Sequence, residues 1–150
     1  MDVVLIAAIT ADGYIARHSN EKVDWSLDLH LFRKQTMGYP VIMGSQTEKT
    51  LAMDLDGRET IVTHRYNDPK KVLDKLHSDK CFIIGGGRTY TRFASYLTHL
   101  YLTIHPLIFG GGIPLFPDLD KDLDIIFLKM LSVDEVRGLY QFQYKINRSN

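Results

Sequence analysis

The sequence has little of what marks exported, metal-binding or disulfide-linked proteins. Its 150 residues contain a single cysteine, Cys81, which lies in the apolar run CFII. One thiol excludes an intramolecular disulfide, and a zinc site would need several Cys or His residues at short spacing. We therefore expect no metal ligand set and a reducing, cytoplasmic setting.

Net charge is absent as well. Lys and Arg together number 18, as do Asp and Glu, so the chain has no global field of the kind that attracts nucleic acid or an anionic membrane. No apolar run approaches the ~18 residues of a membrane span, and no basic segment with a cleavable apolar stretch opens the chain. We predict a soluble protein whose partners are small molecules rather than nucleic acid or membrane.

The apolar residues that are present, 45% of the chain, suffice for the core of one domain, which we expect to cover residues 1–150. The β-branched run from Val3 to Ile9 predicts a strand that is covered on both faces. Further strands are predicted at Pro40–Met43, Thr60–Thr63, Cys81–Ile84, Leu100–Ile104 and Tyr140–Ile146, with helices between most of them. The pattern predicts an α/β fold with a mostly parallel central sheet and an antiparallel C-terminal edge.

Three of these strands end in residues that could hold phosphate groups. In an open α/β sheet, ligands lie beyond the carboxyl ends of the strands, where the following helices expose backbone N–H groups. Gly44-Ser45-Gln46-Thr47 follows one strand, Gly85-Gly86-Gly87-Arg88-Thr89 follows another, and Thr63-His64-Arg65 ends a third. Two glycine turns and a basic strand end suit a ligand with two phosphates and one further phosphate, such as NADPH. Either turn alone is more often a simple chain reversal, and the Rossmann and P-loop fingerprints are both absent.

Asp28 is a second candidate site residue. Ser26 is a good N-cap, which predicts a helix that carries Asp28 in its first turn, among the apolar residues Leu27, Leu29 and Phe32. From spacing alone, such a carboxylate is usually only a favourable partner of the helix dipole. If it lines a pocket, it could instead grip the N–H groups of a heterocycle or help relay a proton.

Several motifs in the right order resemble those of the dihydrofolate reductase superfamily over almost the whole chain. DWSLDLHLFRKQT followed by PVIMGSQT is similar to that family's tryptophan, helical aspartate, phenylalanine and PVIMG-x-x-T sequence. LDGR at 55–58, IIGGGRTY at 83–90 and LYLT at 100–103 match further family motifs. The resemblance implies a dihydrofolate reductase-like three-layer sandwich and an NADPH-dependent oxidoreductase.

The resemblance also implies roles for individual residues. Asp28 would hold the pterin, with Thr103 as its hydroxyl partner, Phe32 and Ala8 would contact the substrate, and Arg58 would meet the glutamate carboxylate of folate. The cofactor-binding residues would be Gly44, Ser45, Thr47, Thr63, His64, Arg65, Gly86, Gly87, Arg88 and Thr89.

The last third resembles a different member of the superfamily. HPLIFGGGIPLFPDL at 105–119 and TADGYIA near the N-terminus are similar to the reductase domain of riboflavin biosynthesis, which reduces the ribosyl group of a phosphorylated aminopyrimidine. Tyr14 and Ile84 depart from that domain's usual lysine and acidic residue, and the spacing between Trp25 and Asp28 is shorter than in ordinary dihydrofolate reductases. From the residues alone, the FGGGIPLF segment indicates a bend between late strands or a dimer edge.

The favoured interpretation is an NADPH-dependent reductase that transfers a hydride to a C=N bond of a pterin, most simply 7,8-dihydrofolate. One alternative is the riboflavin-pathway reductase of 5-amino-6-(5-phosphoribosylamino)uracil, with Arg17, His18 and Arg58 as candidate phosphate contacts. A nucleotide-binding module without catalysis is a second alternative. The exposed late strands also make a homodimer a reasonable expectation.

Overall fold

The computed structural model describes residues 1–51 and 54–148 of the chain. The strands are β1 (Asp2–Thr10), β2 (Tyr14–Ala16), β3 (Val41–Gly44), β4 (Thr60–Thr63), β5 (Lys80–Gly85), β6 (His99–His105), β7 (Ile113–Pro114), β8 (Ile125–Asp134) and β9 (Leu139–Ile146). The helices are α1 (Leu29–Thr36), α2 (Ser45–Thr50), α3 (Pro69–Asp74) and α4 (Gly87–Phe93), and a 3-10 turn (Ala94–Tyr96) follows α4. None of the helices in this described part is long and apolar enough to cross a membrane.

Seven strands form one mixed sheet in the order β4-β3-β5-β1-β6-β9-β8. The five strands from β4 to β6 run parallel, whereas β9 pairs antiparallel with both β6 and β8. This topology confirms the predicted α/β class with its antiparallel C-terminal edge. The small second sheet pairs β2 with β7.

The sheet carries one core cluster on each face because successive side chains of a strand point to opposite sides. On β1, Val3 and Leu5 belong to a cluster with residues of α3 and α4, including Leu73 and Phe93. We call this side the α4 face. Val4 and Ile6 belong to the other cluster, against which Phe32 of α1 packs, and we call that side the α1 face. Helices on both faces of the sheet give the three-layer arrangement that the resemblance implied.

The predicted strands match the structure closely, but the start of the first helix was wrong. α1 begins at Leu29, with Asp28 as its N-cap residue rather than a member of its first turn. The Asp28 side chain makes no capping hydrogen bond. Ser26 lies outside the helix because the segment before Asp28 is held by tertiary contacts. β2, β7 and β8 were not predicted as separate strands.

The FGGG segment is docked against the turn that follows β1. The Asp12 carboxylate accepts hydrogen bonds from the backbone N–H groups of Phe109 and Gly110 at 3.2 and 2.7 Å. A Cβ at Gly112, where φ is +134°, would lie 2.3 Å from the carbonyl oxygen of Ala16, so only glycine allows this approach. The bend predicted from the glycines therefore joins two regions that lie about a hundred residues apart in the sequence.

Candidate active site

A large cavity, of about 1000 Å³, opens beyond the carboxyl ends of the parallel strands. It has two ends that differ in construction. The turns after β3, β4 and β5 form what we call the glycine end, and Ala8, Asp28 and Phe32 belong to what we call the carboxylate end. Among the predicted site residues, those that line the cavity are Ala8, Asp28, Phe32, Gly44, Ser45, Thr47, Thr63, His64, Arg65, Gly86, Gly87, Arg88 and Thr89. Arg58 and Thr103 do not line it.

Threonine hydroxyls at the glycine end leave no room for a Cβ at Gly44 and make one at Gly86 a tight fit. A Cβ at Gly44 would lie 2.6 Å from Oγ1 of Thr89, and a Cβ at Gly86 would lie 3.2 Å from Oγ1 of Thr47. The peptide bond between Gly85 and Gly86 is cis. The starts of α2 and α4 therefore lie against each other, with their first backbone amides beside the cavity wall. Such paired amides and hydroxyls fit the phosphate groups of a dinucleotide.

Polar and cationic side chains surround these turns. Thr63 is buried and its hydroxyl oxygen has no hydrogen-bond partner among the described residues, although the residue lines the cavity. Arg65 is exposed at the same rim. The turn that carries it is braced by Arg92, whose Nη1 donates to the carbonyl oxygen of His64 at 2.9 Å and whose Nη2 donates to that of Asn67. The rim can thus present a cation to a further phosphate of a ligand.

Asp28 dominates the carboxylate end. Its relative exposure is only 5%, it makes no capping hydrogen bond, and it takes part in none of the salt bridges among the described residues. A buried carboxylate normally has hydrogen-bond donors around it, because burial without them is costly. Since Asp28 lines the cavity, donors from a bound ligand would meet that need.

His105 holds the segment that leads into Asp28. The backbone N–H of Leu27 donates to Nε2 of His105 at 2.9 Å, which places the ring proton on Nδ1, 3.0 Å from the carbonyl oxygen of Thr103. The ring is 1% exposed and packs edge-on against Trp25, with the ring centroids 5.2 Å apart. His105, at the end of β6, therefore positions Asp28 indirectly, by holding the backbone of the preceding residue, Leu27. No role was predicted for His105, because the alternation along β6 groups it with Tyr101 and Thr103 rather than with the apolar residues.

Tyr90 lines the cavity and is only 2% exposed. Its hydroxyl donates to the carbonyl oxygen of Ile6 at 2.8 Å. Burial, and to a smaller degree the negative charge of Asp28, raises the pKa of the Tyr90 hydroxyl far above its ordinary value. Tyr90 thus remains a protonated donor that ties α4 to β1.

Thr103 lies behind the cavity wall. It is the register partner of Ala8 on the neighbouring parallel strand, so both side chains lie on the α1 face of the sheet. Its hydroxyl is buried and has no hydrogen-bond partner among the described residues. The structure therefore brings Thr103 next to the carboxylate end without exposing it there.

Arg58 is anchored within the protein. Its guanidinium donates to Oγ1 of Thr36 at 2.8 Å and to the carbonyl oxygens of Asp56 and Arg33 at 2.8 and 3.3 Å. Burial, with a contribution from the charge of Arg33, lowers the pKa of Arg58. Three of its five N–H donors are used in this way, and two remain. The predicted contact with a ligand carboxylate stays a prediction.

The C-terminal segment, residues 105–119, contributes unpredicted residues to the cavity wall. Ile113, Pro114, Pro117 and Asp118 line the cavity, and a Cβ at Gly87 would lie 2.9 Å from Cδ of Pro117. The segment was interpreted as a bend or a dimer edge, because it contains no titratable group before Asp118. Its contribution depends on the docking of residues 109–112 against the turn after β1, which no local pattern reveals.

Arg17 and His18 differ in their access to the cavity. Arg17 forms a salt bridge with Glu21 at 2.6 Å, and its guanidinium lies 4.2 Å from the ring centre of Phe109. Partial burial raises the pKa of Glu21, but hydrogen bonds from Arg17 outweigh it, so the pKa lies below its usual value. His18 lines the cavity, whereas Arg17 does not. Of these two candidate phosphate contacts, only His18 is available.

Comparisons with known proteins agree with this architecture. The sequence model of the family described as dihydrofolate reductase matches residues 2–145. The dihydrofolate reductase of Bacillus subtilis is 31% identical over 134 residues, covering 79% of this chain and 77% of that protein. That of Haemophilus influenzae is 30% identical over 149 residues, covering 90% and 91%.

Two solved structures are similar over nearly their whole length. Dihydrofolate reductase from Enterococcus faecalis, complexed with NADP(H) and RAB-propyl, has a TM-score of 0.74 and 22% identity, covering 98% of this chain and 97% of that one. A riboflavin biosynthesis protein from Shewanella sp. PV-4 has a TM-score of 0.68 and 19% identity, covering 99% and 100%. At these identities the structural likeness bears on the fold alone.

Proposed function

Since the chain belongs to the dihydrofolate reductase family, we propose that it is an NADPH-dependent reductase that transfers a hydride to a C=N bond of a pterin, most simply 7,8-dihydrofolate to tetrahydrofolate. Membership of this family makes the chain an oxidoreductase. The observation that carries the choice of a pterin is Asp28, a buried carboxylate without a protein partner among the described residues, at one end of a cavity whose other end suits a dinucleotide.

At the carboxylate end, Asp28 would accept hydrogen bonds from the N–H groups of the pterin and fix the plane of the ring. Phe32 would pack on the ring from α1, and Thr103, whose hydroxyl is buried behind the cavity wall, would support the carboxylate end from that side rather than touch the ligand. The ring nitrogen would receive its proton through water that Asp28 orients. Arg58 keeps two N–H donors with which it could meet the carboxylate of a folate tail.

At the glycine end, the chain would hold the cofactor mainly with backbone amides and hydroxyl groups. NADPH, when bound, would supply the hydride, and the protein contributes orientation and electrostatics. The proposed binding residues are Gly44, Ser45, Thr47, Thr63, His64, Arg65, Gly86, Gly87, Arg88 and Thr89. The orphaned Thr63 hydroxyl and the close approach of the two glycine turns support this assignment, and Arg65 is the proposed partner of the 2′-phosphate.

A second candidate is the riboflavin-pathway reductase, in which the same cofactor site serves a ribosylaminopyrimidine phosphate. What favours it is the C-terminal segment that resembles that enzyme, because Ile113, Pro114, Pro117 and Asp118 belong to the cavity wall rather than to a remote edge. His18 would then be the phosphate contact. Asp28 can hold the N–H donors of an aminopyrimidine as well as those of a pterin, so the substrate must be decided by assay.

The deciding experiment follows NADPH oxidation with 7,8-dihydrofolate and, separately, with the phosphorylated ribosylaminopyrimidine. We expect turnover with dihydrofolate, and protection of the enzyme from heat by dihydrofolate and antifolates. Turnover with the pyrimidine alone would transfer the assignment to the second candidate. Binding of NADPH without oxidation in the presence of either substrate would contradict both.

The proposal includes the setting of the enzyme. We propose that it works in the cytoplasm on small molecules, without nucleic acid or membrane as a partner, and that it is a homodimer. The equal numbers of acidic and basic residues support the choice of partners, and the single buried thiol of Cys81 suits a reducing compartment.

A further inference from the structure

Helix α1 follows directly on Asp28 and carries Phe32, yet little apolar packing holds it in place. Thr36 is the only buried residue of this helix. Phe32 is the one residue of α1 that packs against either core cluster of the described residues. A helix on the surface of a globular protein usually buries a broad apolar stripe, and a helix this short has little stability of its own. The position of α1 must therefore depend on other contacts.

A reciprocal pair of hydrogen bonds joins α1 to β9. Nε2 of Gln35 donates to Oε1 of Gln141 at 2.7 Å, and Nε2 of Gln141 donates to Oε1 of Gln35 at 2.9 Å. We call these two residues the glutamine pair. Gln141 is fully buried, and its Oε1 also accepts a hydrogen bond from Nε2 of Gln143 at 3.0 Å. Such a pair fixes two elements relative to each other, because a displacement would leave buried amide groups without partners.

The glutamine pair lies on the side of α1 that meets the cavity. Asp28, Phe32 and Gln35 follow the spacing i, i+4 and i+7, which aligns them along one face of a helix. A further polar contact comes from Arg58, whose Nε donates to Oγ1 of Thr36 at 2.8 Å, but Arg58 belongs to the loop before β4. Of the described side-chain hydrogen bonds of α1, only those of the glutamine pair reach the sheet.

On the sheet, the glutamine pair is attached at the level of the cavity wall. Gln141 is the register partner of Thr103 on β6, and Thr103 is the register partner of Ala8 on β1. The three side chains form a row on the α1 face, and Ala8, at the end of that row, lines the cavity. A helix held at Gln35 by this row keeps its own cavity residues at a fixed separation from Ala8.

We propose that the glutamine pair positions the carboxylate end, by holding α1 so that Asp28 and Phe32 contact the substrate together. The inference rests on the proposed function, because it takes the substrate to be a ring that both residues meet. Neither glutamine lines the cavity, so the pair acts through α1. Apolar side chains of similar volume could fill the same space, so what the buried amides contribute is one specific position of the helix.

Steady-state kinetics of variants that break the glutamine pair test this proposal. Gln35→Met and Gln141→Met keep the length of the side chain but remove the pair, so each should raise the KM for dihydrofolate about tenfold and leave the Kd for NADPH unchanged. The double variant Gln35→Met/Gln141→Met should raise KM no further, because both single variants lose the same interaction. Multiplied effects in the double variant, or a wild-type KM in either single variant, would overturn the proposal.

Two control variants separate positioning from stability. Gln143→Met removes the third amide but leaves the glutamine pair, so KM should stay at the wild-type value whatever happens to the melting temperature. Lys34→Met places the same side chain at an exposed position of α1 and should also leave KM unchanged. If the glutamine pair has only a structural role, the variants that break it should melt at lower temperatures and keep the wild-type KM.

A measurement without ligand distinguishes failure of this inference from failure of the proposed function. Amide hydrogen exchange of the free protein should become faster in residues 29–36 when the glutamine pair is broken, and should not change in Gln143→Met or Lys34→Met. A wild type that does not reduce dihydrofolate, together with this change in exchange, would contradict the proposed function alone. Unchanged exchange in the variants that lack the pair would overturn the inference.

Discussion

The two ends of the cavity are built by opposite means. At the glycine end, the proposed binding groups are backbone amides and hydroxyls brought together by turns in which a Cβ would lie as close as 2.6 Å to its neighbour. At the carboxylate end, the proposed polar contact is one buried side chain, Asp28, and distant residues set its position. Substitutions that add atoms should therefore weaken ligand binding at the glycine end. Substitutions that remove a functional group should impair the carboxylate end.

Asp28→Asn should have the largest effect, and it should impair the carboxylate end without changing the glycine end. The amide keeps the size of the side chain but places an NH2 donor group at one of the two positions where the pterin needs an acceptor, so turnover should fall by about 10²–10⁴-fold. NADPH affinity should remain within twofold of wild type, as measured by fluorescence titration. Asp24→Asn, in the exposed part of the same segment, is the control and should turn over normally. Unchanged turnover in Asp28→Asn would remove Asp28 from the mechanism.

Gly44→Ala should impair the glycine end instead. The new methyl group would lie 2.6 Å from Oγ1 of Thr89 and push the two glycine turns apart, so NADPH affinity should fall by about 10–100-fold and stability by ~1–3 kcal/mol. The double variant Gly44→Ala/Thr89→Ala removes the obstructing hydroxyl and should recover part of the stability. Gly111→Ala, where a Cβ meets nothing within 4 Å, serves as the control. Equal melting temperatures for Gly44→Ala and Gly111→Ala would contradict the close packing.

His105→Phe tests whether the carboxylate end is positioned through the chain. Phenylalanine fills the space but leaves the N–H of Leu27 and the carbonyl of Thr103 without their partner, so kcat should fall by about tenfold while the Kd for NADPH stays constant. His105→Gln can accept and donate at both places and should recover most of kcat. If His105 has a purely structural role, both variants should be less stable but keep the wild-type kcat. Melting curves together with steady-state kinetics distinguish a structural role from a positioning role.

Arg65→Gln should have the smallest effect, and only at the glycine end. The residue is exposed, so loss of its contact with a 2′-phosphate should weaken NADPH binding by about fivefold and leave NADH binding unchanged. The difference should shrink at high salt, because exposed charges are screened. Lys71→Gln on α3 is the charge-matched control. An equal loss of affinity for NADPH and NADH would show that Arg65 does not contact the 2′-phosphate.

The sequence predicted the glycine end better than the carboxylate end for a physical reason. Strands such as β3 and β5 are continuous apolar runs, and each ends in a glycine turn, so local pattern and position along the chain are enough to define them. The position of Asp28 depends on the contact between Leu27 and His105, which are 78 positions apart, and this is why the helix start was misplaced at Ser26. Spacing alone could not distinguish a helix-dipole partner from a cavity carboxylate.

The same reason explains the residues that were missed. β8 lacks alternation because a bulge follows Phe127, so its apolar run has no clear period. Arg58 and Thr103 were assigned by resemblance, and the structure places neither in the cavity wall. Arg58 contacts Thr36, and Thr103 is the register partner of Ala8. In both pairs the two residues lie on different structural elements, and sequence patterns carry no information about such tertiary contacts.

The position of β1 at the centre of the sheet has a consequence for synthesis on the ribosome. Strand β1 pairs on one side with Lys80–Ile83 and on the other with His99–His105, and both partners are synthesised well after it. Its aliphatic residues therefore have no native partner until those two strands have been translated. Nascent chains of this protein should depend during that interval on chaperones that bind unfolded segments.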